Sequence, residues 1–367
     1  MTDQQDGVLE VSGLTVTFPS PDGPVRAVRG VDYRLRRGEV LGIVGESGSG
    51  KSVTSLAVMG LLPGTAQVTG SITFDGRDLL ALDEGELNTV RGERIAMIFQ
   101  DPMTSLNPVY SVGYQIAEAV LAHRDVTKAQ ARERAVELLR TVRIPNPEQR
   151  VDSYPHELSG GMRQRVVIAI GMANDPDVII ADEPTTALDV TVQAQVLEAL
   201  GEAQRATGAA MILITHDLGV IAGQADRVMV MYAGRAVEVG TADDIFYTPR
   251  MPYTLGLLGS LPRLDRPSER LTPIPGSPPS VVNMPPGCPF HPRCPLATGI
   301  CRETEPELLA VSADGGTGTG GEHRSACHHS SELAEAAAGE VFDTTAVADD
   351  TLLDDPAEDS ALTGEGR

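Results

Sequence analysis

Short apolar runs recur between residues 8 and 240 and alternate with helix-like stretches. LGIVG stands before Glu46, RIAMIF before Gln100, DVIIAD at 177–182 and AAMILIT at 209–215. Continuous apolar runs separated by helices predict strands buried on both faces of a largely parallel sheet. Residues 113–174 carry no comparable run. There TKAQARERAVELLRTV reads as a helix, Pro145 and Pro147 interrupt the helical stretch, and the whole predicts a helical insertion on the sheet.

After Tyr247 the texture changes to TPRMPYTLGLLGSLPRL and then LTPIPGSPPSVVNMPPG, where the Pro density excludes long helices and central strands. A second, small, irregular unit is therefore expected to begin near residue 250. ADGGTGTGG at 313–321 reads as a flexible loop, and no internal repeat is present. The expected division is 1–249 for the α/β unit with its helical part at 101–174, 250–329 for the Pro-rich extension, and 330–367 for a tail.

Composition narrows the picture. At 367 residues with 41% hydrophobic content the chain buries a proper core in one large or two unequal domains. The net charge of -22 argues against nucleic acid as a partner, because clustered cations are needed to displace counterions from phosphates. Beyond Ser330 eleven acidic residues face one Arg, so the tail is expected to be solvated and disordered. No run approaches the roughly 20 apolar residues that cross a bilayer, and MTDQQDG lacks the features of a signal peptide. The chain is expected to stay on the cytoplasmic side. Its four cysteines, Cys288, Cys294, Cys301 and Cys327, lie in one late segment, which in a reducing compartment favours metal ligation over disulfides.

Three motifs carry chemistry. GESGSGKS at 45–52 fits G-x-x-x-x-G-K-[ST] between an apolar strand and a helix-like run. Gly45, Gly48 and Gly50 let the backbone N–H groups of a loop that includes Glu46, Ser47 and Ser49 converge on phosphate oxygens. Lys51 reaches the β- and γ-phosphates, and Ser52 offers a hydroxyl to Mg²⁺. DVIIADEP ends a strand in two acids: Asp182 is placed to hold Mg²⁺ and Glu183 to act as general base on the water that attacks the γ-phosphate. In LSGGMRQR the residues Ser159, Gly160 and Gly161 open a helix, a second anion site that a chain with its own phosphate loop does not need unless it serves a neighbouring subunit's ATP.

At this point the chain resembles the ATP-binding subunits of ABC transporters, whose signature turn closes over nucleotide held by the opposing subunit. The resemblance spans residues 8–330 and implies an α/β P-loop ATPase with a helical subdomain. It implies further roles: Gln100 as the Q-loop residue that senses Mg²⁺ and the γ-phosphate, Asp189 at the dimer interface, His216 as the switch histidine, and Phe18 as an aromatic that stacks on adenine. Met162 departs from the Gln most members carry, but leaves Ser159 and Gly161 intact.

QDPMTSLNPVYSVGYQI, SYPHELSGGMRQRV and PYTLGLLGSLPRL together resemble dipeptide and oligopeptide importer ATPases, and nickel importers share this pattern. GCPFHPRCP resembles the C-terminal extension of that group, although Met251 stands where many members have His. The implied partners are a second, non-identical ATPase subunit, two transmembrane permease subunits and an extracytoplasmic substrate-binding protein. Five, six and twenty-five residues separate the four cysteines, without a close C-x-x-C pair. Close pairs are usual for zinc, whereas Fe–S clusters tolerate wider gaps, and the resemblance implies a [4Fe-4S] cluster on Cys288, Cys294, Cys301 and Cys327; zinc and free thiols remain the alternatives. His291, His323, His328 and His329 lie close by in sequence. A soluble non-transport ATPase of DNA repair or translation is disfavoured by the charge and by the single phosphate loop.

Overall fold

The computed structural model describes residues 7–186, 188–261, 273–311, 317–318, 322–335 and 341–342. In chain order its strands are β1 (Gly7–Phe18), β2 (Val25–Arg36), β3 (Val40–Val44), β4 (Gln67–Phe74), β5 (Arg77–Asp78), β6 (Ile95–Ile98), β7 (Val178–Asp182), β8 (Ala210–Thr215), β9 (Arg227–Tyr232), β10 (Arg235–Thr241), β11 (Leu309–Val311), β12 (Thr317–Gly318) and β13 (Arg324–Ser325). They form two sheets, β2-β1-β4-β5 and β12-β11-β13-β10-β9-β3-β8-β7-β6.

The apolar runs of the sequence become the centre of the larger sheet. β3, β7 and β8 are buried at every residue, and β9-β3-β8-β7-β6 pair in parallel. A strand covered on both faces needs no polar alternation, which is why VLGIV and AMILIT are unbroken. The smaller sheet is antiparallel and follows another rule. In β1 the buried Val11, Leu14 and Val16 alternate with partly exposed Ser12, Thr15 and Thr17, and a bulge at Gly13 shifts the phase. The sequence reading of a largely parallel sheet therefore holds for the centre of the fold, while the first eighty residues are mostly antiparallel.

The helices are α1 (Lys51–Val58), α2 (Glu84–Val90), α3 (Pro102–Ser105), α4 (Val112–His123), α5 (Lys128–Thr141), α6 (Pro147–Arg150), α7 (Gly160–Gly171), α8 (Val190–Thr207), α9 (Leu218–Ile221), α10 (Ala242–Tyr247), α11 (Pro252–Gly259) and α12 (Gly299–Glu303). Between β6 and β7 only helices occur, as expected. α4 and α5 start at Ser111 and Thr127, whose side chains accept from Tyr114 and Gln130 amides, and Pro145 and Pro147 fall in the break before and at the start of α6.

The Pro-rich extension is not set apart from the α/β unit. β13 pairs antiparallel with β10 through Glu238↔Ser325 and Val239↔Arg324, so the extension lengthens the main sheet. Its Cys288, Phe290, Cys301 and Ala326 share one buried cluster with Val230, Tyr232 and Tyr253. Phe342, only 3% exposed, joins that cluster, so ordered packing reaches past residue 330. Most of the ADGGTGTGG segment and most of the acidic tail lie outside the described residues, as do Ala187 and residues 262–272.

A fully buried acid fastens the extension. Glu238 Oε1 accepts from the Arg250 amide at 2.5 Å and from His323 Nε2 at 2.8 Å, and Ser325 Oγ donates to the Arg250 carbonyl at 2.7 Å. Removing the acceptor strands one buried donor, the Arg250 amide, and one part-buried donor, His323. Glu238→Ala is expected to lower unfolding free energy by about 3 kcal/mol, and Glu238→Gln, which still accepts, by less. Urea unfolding checks this, and equal losses in the two variants would refute the hydrogen-bond account.

Candidate functional site

β3 delivers the chain into the Gly45–Gly50 loop, and α1 begins at Lys51. The loop fits its surroundings tightly. A Cβ on Gly45 would sit 2.2 Å from the Met231 carbonyl oxygen, and Gly50 adopts φ 100° as the N-cap of α1. Other elements hold it from outside: the Glu46 amide donates to Tyr253 Oη at 2.8 Å, and the Gly234 amide to the Ser49 carbonyl at 3.0 Å. Lys51, 4% exposed, folds back on the loop and donates to the Gly45 and Glu46 carbonyls at 2.7 and 3.0 Å. Burial pushes its ammonium below the ordinary range, against the pull of Glu183 and Asp182.

Asp182 ends β7 and accepts from Ser52 Oγ at 2.9 Å. Burial raises its carboxyl, and the Ser52 bond works the other way. The two residues set hard oxygen donors side by side across 130 residues of sequence, a donor chemistry that fits Mg²⁺. The bound cation would favour the ionised carboxylate that burial alone disfavours.

Glu183 gathers three side-chain donors on one oxygen. Its backbone stands at φ 46°, a left-handed conformation uncommon outside glycine, with its amide tied to the Ile214 carbonyl at 2.9 Å. Its Oε2 accepts from Thr186 Oγ1 at 2.8 Å, Gln100 Nε2 at 3.2 Å and His216 Nδ1 at 3.3 Å. Glu183, Gln100 and His216 line one open cleft with residues Glu46 to Val53 of the phosphate loop. The structure thus brings together Gly45–Ser52, Gln100, Asp182, Glu183 and His216.

It does not bring Phe18 or the signature there. Phe18 lies half-buried at the end of β1 against the apolar cluster of the antiparallel sheet, and is not among the residues lining the cleft. Ser159 caps α7, Gly161 packs against Val192 of α8, and Asp189 caps α8. Ser159, Gly160 and Asp189 form a separate, exposed group away from the lining of the cleft.

Three residues escaped the sequence reading. Thr186 stands three positions after Glu183, and that spacing was the available signal. Arg293 forms a two-point ion pair with Glu46 at 2.6 and 2.9 Å, and Pro278 of the extension lines the cleft itself. Nothing local in HPRC announces a partner 247 residues away.

The four cysteines are free and all line one small cavity of the extension. Burial pushes the Cys294 and Cys327 thiols up to about 12 and raises Cys288 as well. Among the described residues no three His, Cys, Asp or Glu side chains are grouped to hold a metal ion, which leaves both the expected [4Fe-4S] cluster and the zinc alternative without support here. The nearby histidines are engaged otherwise: His291 with the Cys288 carbonyl, His323 with Glu238, His328 with the Thr304 carbonyl, and His329 with Thr298 and Glu332.

Residues 28–186 match the ABC transporter family, and residues 237–301 match the oligopeptide/dipeptide transporter C-terminal region. The oligopeptide transport ATP-binding protein OppD of Escherichia coli (strain K12) is 54% identical over 303 residues, covering 83% of this chain and 90% of that protein. The dipeptide transport ATP-binding protein DppD of Bacillus subtilis (strain 168) is 55% identical over 301 residues, covering 82% and 90%. OppD of Mycobacterium tuberculosis is 54% identical over 337 residues; these cover 91% of this chain but only 54% of that protein, so the chain spans about half the length of that relative. A solved ATP-binding cassette, dimeric and bound to ADP and Pi in a post-hydrolysis state, superposes with a TM-score of 0.57 at 26% identity, covering 64% of this chain and 98% of its own.

The fit around Gly45 is directly testable. Gly45→Ala forces the loop off the Met231 carbonyl and is expected to cost about 2 kcal/mol of stability, read as a lower thermal midpoint. An unchanged midpoint would show that the loop has slack there.

Proposed function

The chain belongs to the ABC transporter family, among its oligopeptide and dipeptide transport ATP-binding proteins, and from that premise we propose that it hydrolyses ATP as the motor subunit of a peptide importer. The observation that carries the catalytic half of this reading is Glu183, with one carboxylate oxygen held by Thr186, Gln100 and His216 beside the phosphate loop.

The loop amides bind the phosphates of ATP, and Lys51 exchanges the Gly45 and Glu46 carbonyls for β- and γ-phosphate oxygens. Mg²⁺, when bound, offsets phosphate charge and would be held by Ser52, Asp182 and Gln100. Glu183 takes the proton of a water whose oxygen forms a bond to the γ-phosphorus as the bond to the bridging oxygen breaks, leaving ADP and phosphate. All three side-chain donors meet its Oε2, which leaves Oε1 as the atom that receives the proton. His216 moves from Glu183 to contact the γ-phosphate, and the adenine contact that the resemblance assigns to Phe18 would lie outside the phosphate cleft, which Phe18 does not line.

Ser159, Gly160, Gly161 and Asp189 act on the neighbour's nucleotide, and of these Ser159, Gly160 and Asp189 stand exposed, away from this chain's own cleft. The working unit is a head-to-tail pair, with a second, non-identical ATPase subunit as partner. Two permease subunits dock on the helical subdomain at the cytoplasmic face of the membrane and receive peptide from an extracytoplasmic binding protein. The surface for them is an apolar one: Phe99, Met103, Val109, Tyr110 and Tyr114 are exposed by 41–69%, beside a groove that runs along the same subdomain. No described helix is long and apolar enough to cross a membrane. A [4Fe-4S] cluster would be held by Cys288, Cys294, Cys301 and Cys327, and when bound supplies bonds that tie the extension together.

Glu183→Gln is expected to bind ATP as the native chain does and to release phosphate about a hundredfold more slowly or worse. Equal rates would remove Glu183 from the role of base. For cargo, cells carrying Lys51→Ala should lose uptake of labelled di- and oligopeptides and keep that of Ni²⁺. Loss of Ni²⁺ uptake alone would overturn the peptide assignment and leave the motor standing.

A further inference from the structure

A carboxylate inside a phosphate-binding loop is a problem in electrostatics. Glu46 lines the nucleotide cleft as the second residue of that loop, where an unpaired negative charge would oppose a polyphosphate. The structure shows what neutralises it. Arg293, 5% exposed at its side chain, meets Glu46 with Nη1 on Oε2 at 2.6 Å and Nη2 on Oε1 at 2.9 Å. The same guanidinium donates from Nε to the Pro275 carbonyl at 2.9 Å and from Nη1 to Tyr232 Oη at 3.3 Å. It lies about 6 Å from the rings of Tyr232 and Phe290, which pack with Tyr253, and Tyr253 Oη takes the Glu46 amide. Glu46 in turn offers its carbonyl to Lys51 Nζ. A planar fork matched to a carboxylate fixes direction as well as charge, so Glu46 is both neutralised and held in place.

We propose that Arg293 is a positioning residue for nucleotide: reaching out of the cysteine-bearing extension, it neutralises and aims Glu46, so that the phosphate loop binds ATP tightly only while the extension is docked. This rests on the ATP-binding reading given above. Pro275, held by Arg293, leads within three residues to Pro278 at the cleft wall, so the extension meets the nucleotide site by two routes. Arg293 also directly precedes Cys294, which places the loop's electrostatic partner next to one wall of the cysteine cavity.

The test uses the full chain and a fluorescent ATP analogue. Arg293→Gln leaves Glu46 as an unpaired acid and is expected to weaken analogue binding and raise KM for ATP about tenfold, with kcat within about twofold of the native value. Adding Glu46→Gln removes the repulsion, so the double variant regains most of the lost affinity. A purely structural arginine would not give that recovery, since the second substitution rebuilds none of the hydrogen bonds that the first removes. Should Arg293→Gln unfold the chain, Arg293→Lys carries the test: it keeps the charge, gives up the two-point contact, and should weaken binding about threefold. Native affinity in the folded single variant, or a double variant no tighter than Arg293→Gln, overturns the inference. If the native chain itself binds no analogue, the ATP-binding reading falls first.

Discussion

The register of four parallel strands is the constraint on which the site depends. β3 pairs with β8 through Val44↔Thr215, β8 with β7 through Ile214↔Asp182, and β7 with β6 through Ala181↔Ile98. The strands therefore end level with one another, and the next residues of each chain segment emerge at one edge: Gly45 after β3, Glu183 after Asp182, His216 after β8, and Gln100 two residues after β6. Ligands of open α/β sheets bind at this edge for the same reason. A slip of one residue in any pair would turn Asp182 away from Ser52 and carry Glu183 off Gln100 and His216. The buried, uniformly apolar strands resist such a slip because every residue of β3, β7 and β8 has a place in the core.

Much of this was legible in the sequence because it is local. The unbroken apolar runs marked β3, β6, β7 and β8, since strands buried on both faces cannot afford polar positions, and the phosphate loop announced itself through glycines where a Cβ has no room. The antiparallel sheet was harder. β1 and β2 alternate over long stretches, and the bulge at Gly13 breaks the period that would identify them. β13 is two residues long and owes its existence to β10 and to Glu238, so no window of sequence could contain the cause. Thr186 lay within reach of the sequence, three residues beyond the acid it orients. Arg293 did not, because its meaning comes from a carboxylate at the far end of the chain.

The same contrast explains why the extension reads as irregular and yet packs as part of the sheet. Proline removes amide donors and so prevents long ladders of hydrogen bonds within the segment. What remains available is attachment to something already ordered. The segment attaches through a short antiparallel pairing with β10, through the buried acceptor Glu238, and through the aromatic contact of Phe290 with Tyr232 and Tyr253. Each of these anchors lies on or beside the strands that carry the phosphate loop, so the extension's order is borrowed from the α/β unit.

That borrowing runs in both directions at the cleft. Lys51, buried and with its ammonium disfavoured, relies on the Gly45 and Glu46 carbonyls. The Glu46 carbonyl is steady because its own amide is fixed by Tyr253 and its side chain by Arg293. On the opposite wall Glu183 keeps one carboxylate oxygen occupied by three donors in a strained backbone conformation that the Ile214 carbonyl helps to hold. A fixed cation on one side and a fixed acid on the other leave the space between them with a definite polarity. In the function proposed above, the γ-phosphate would face Lys51 and the attacking water Glu183, which is the arrangement this polarity favours. Under that proposal the direction of attack would be set by the protein before any nucleotide arrives, which is what electrostatic preorganisation means.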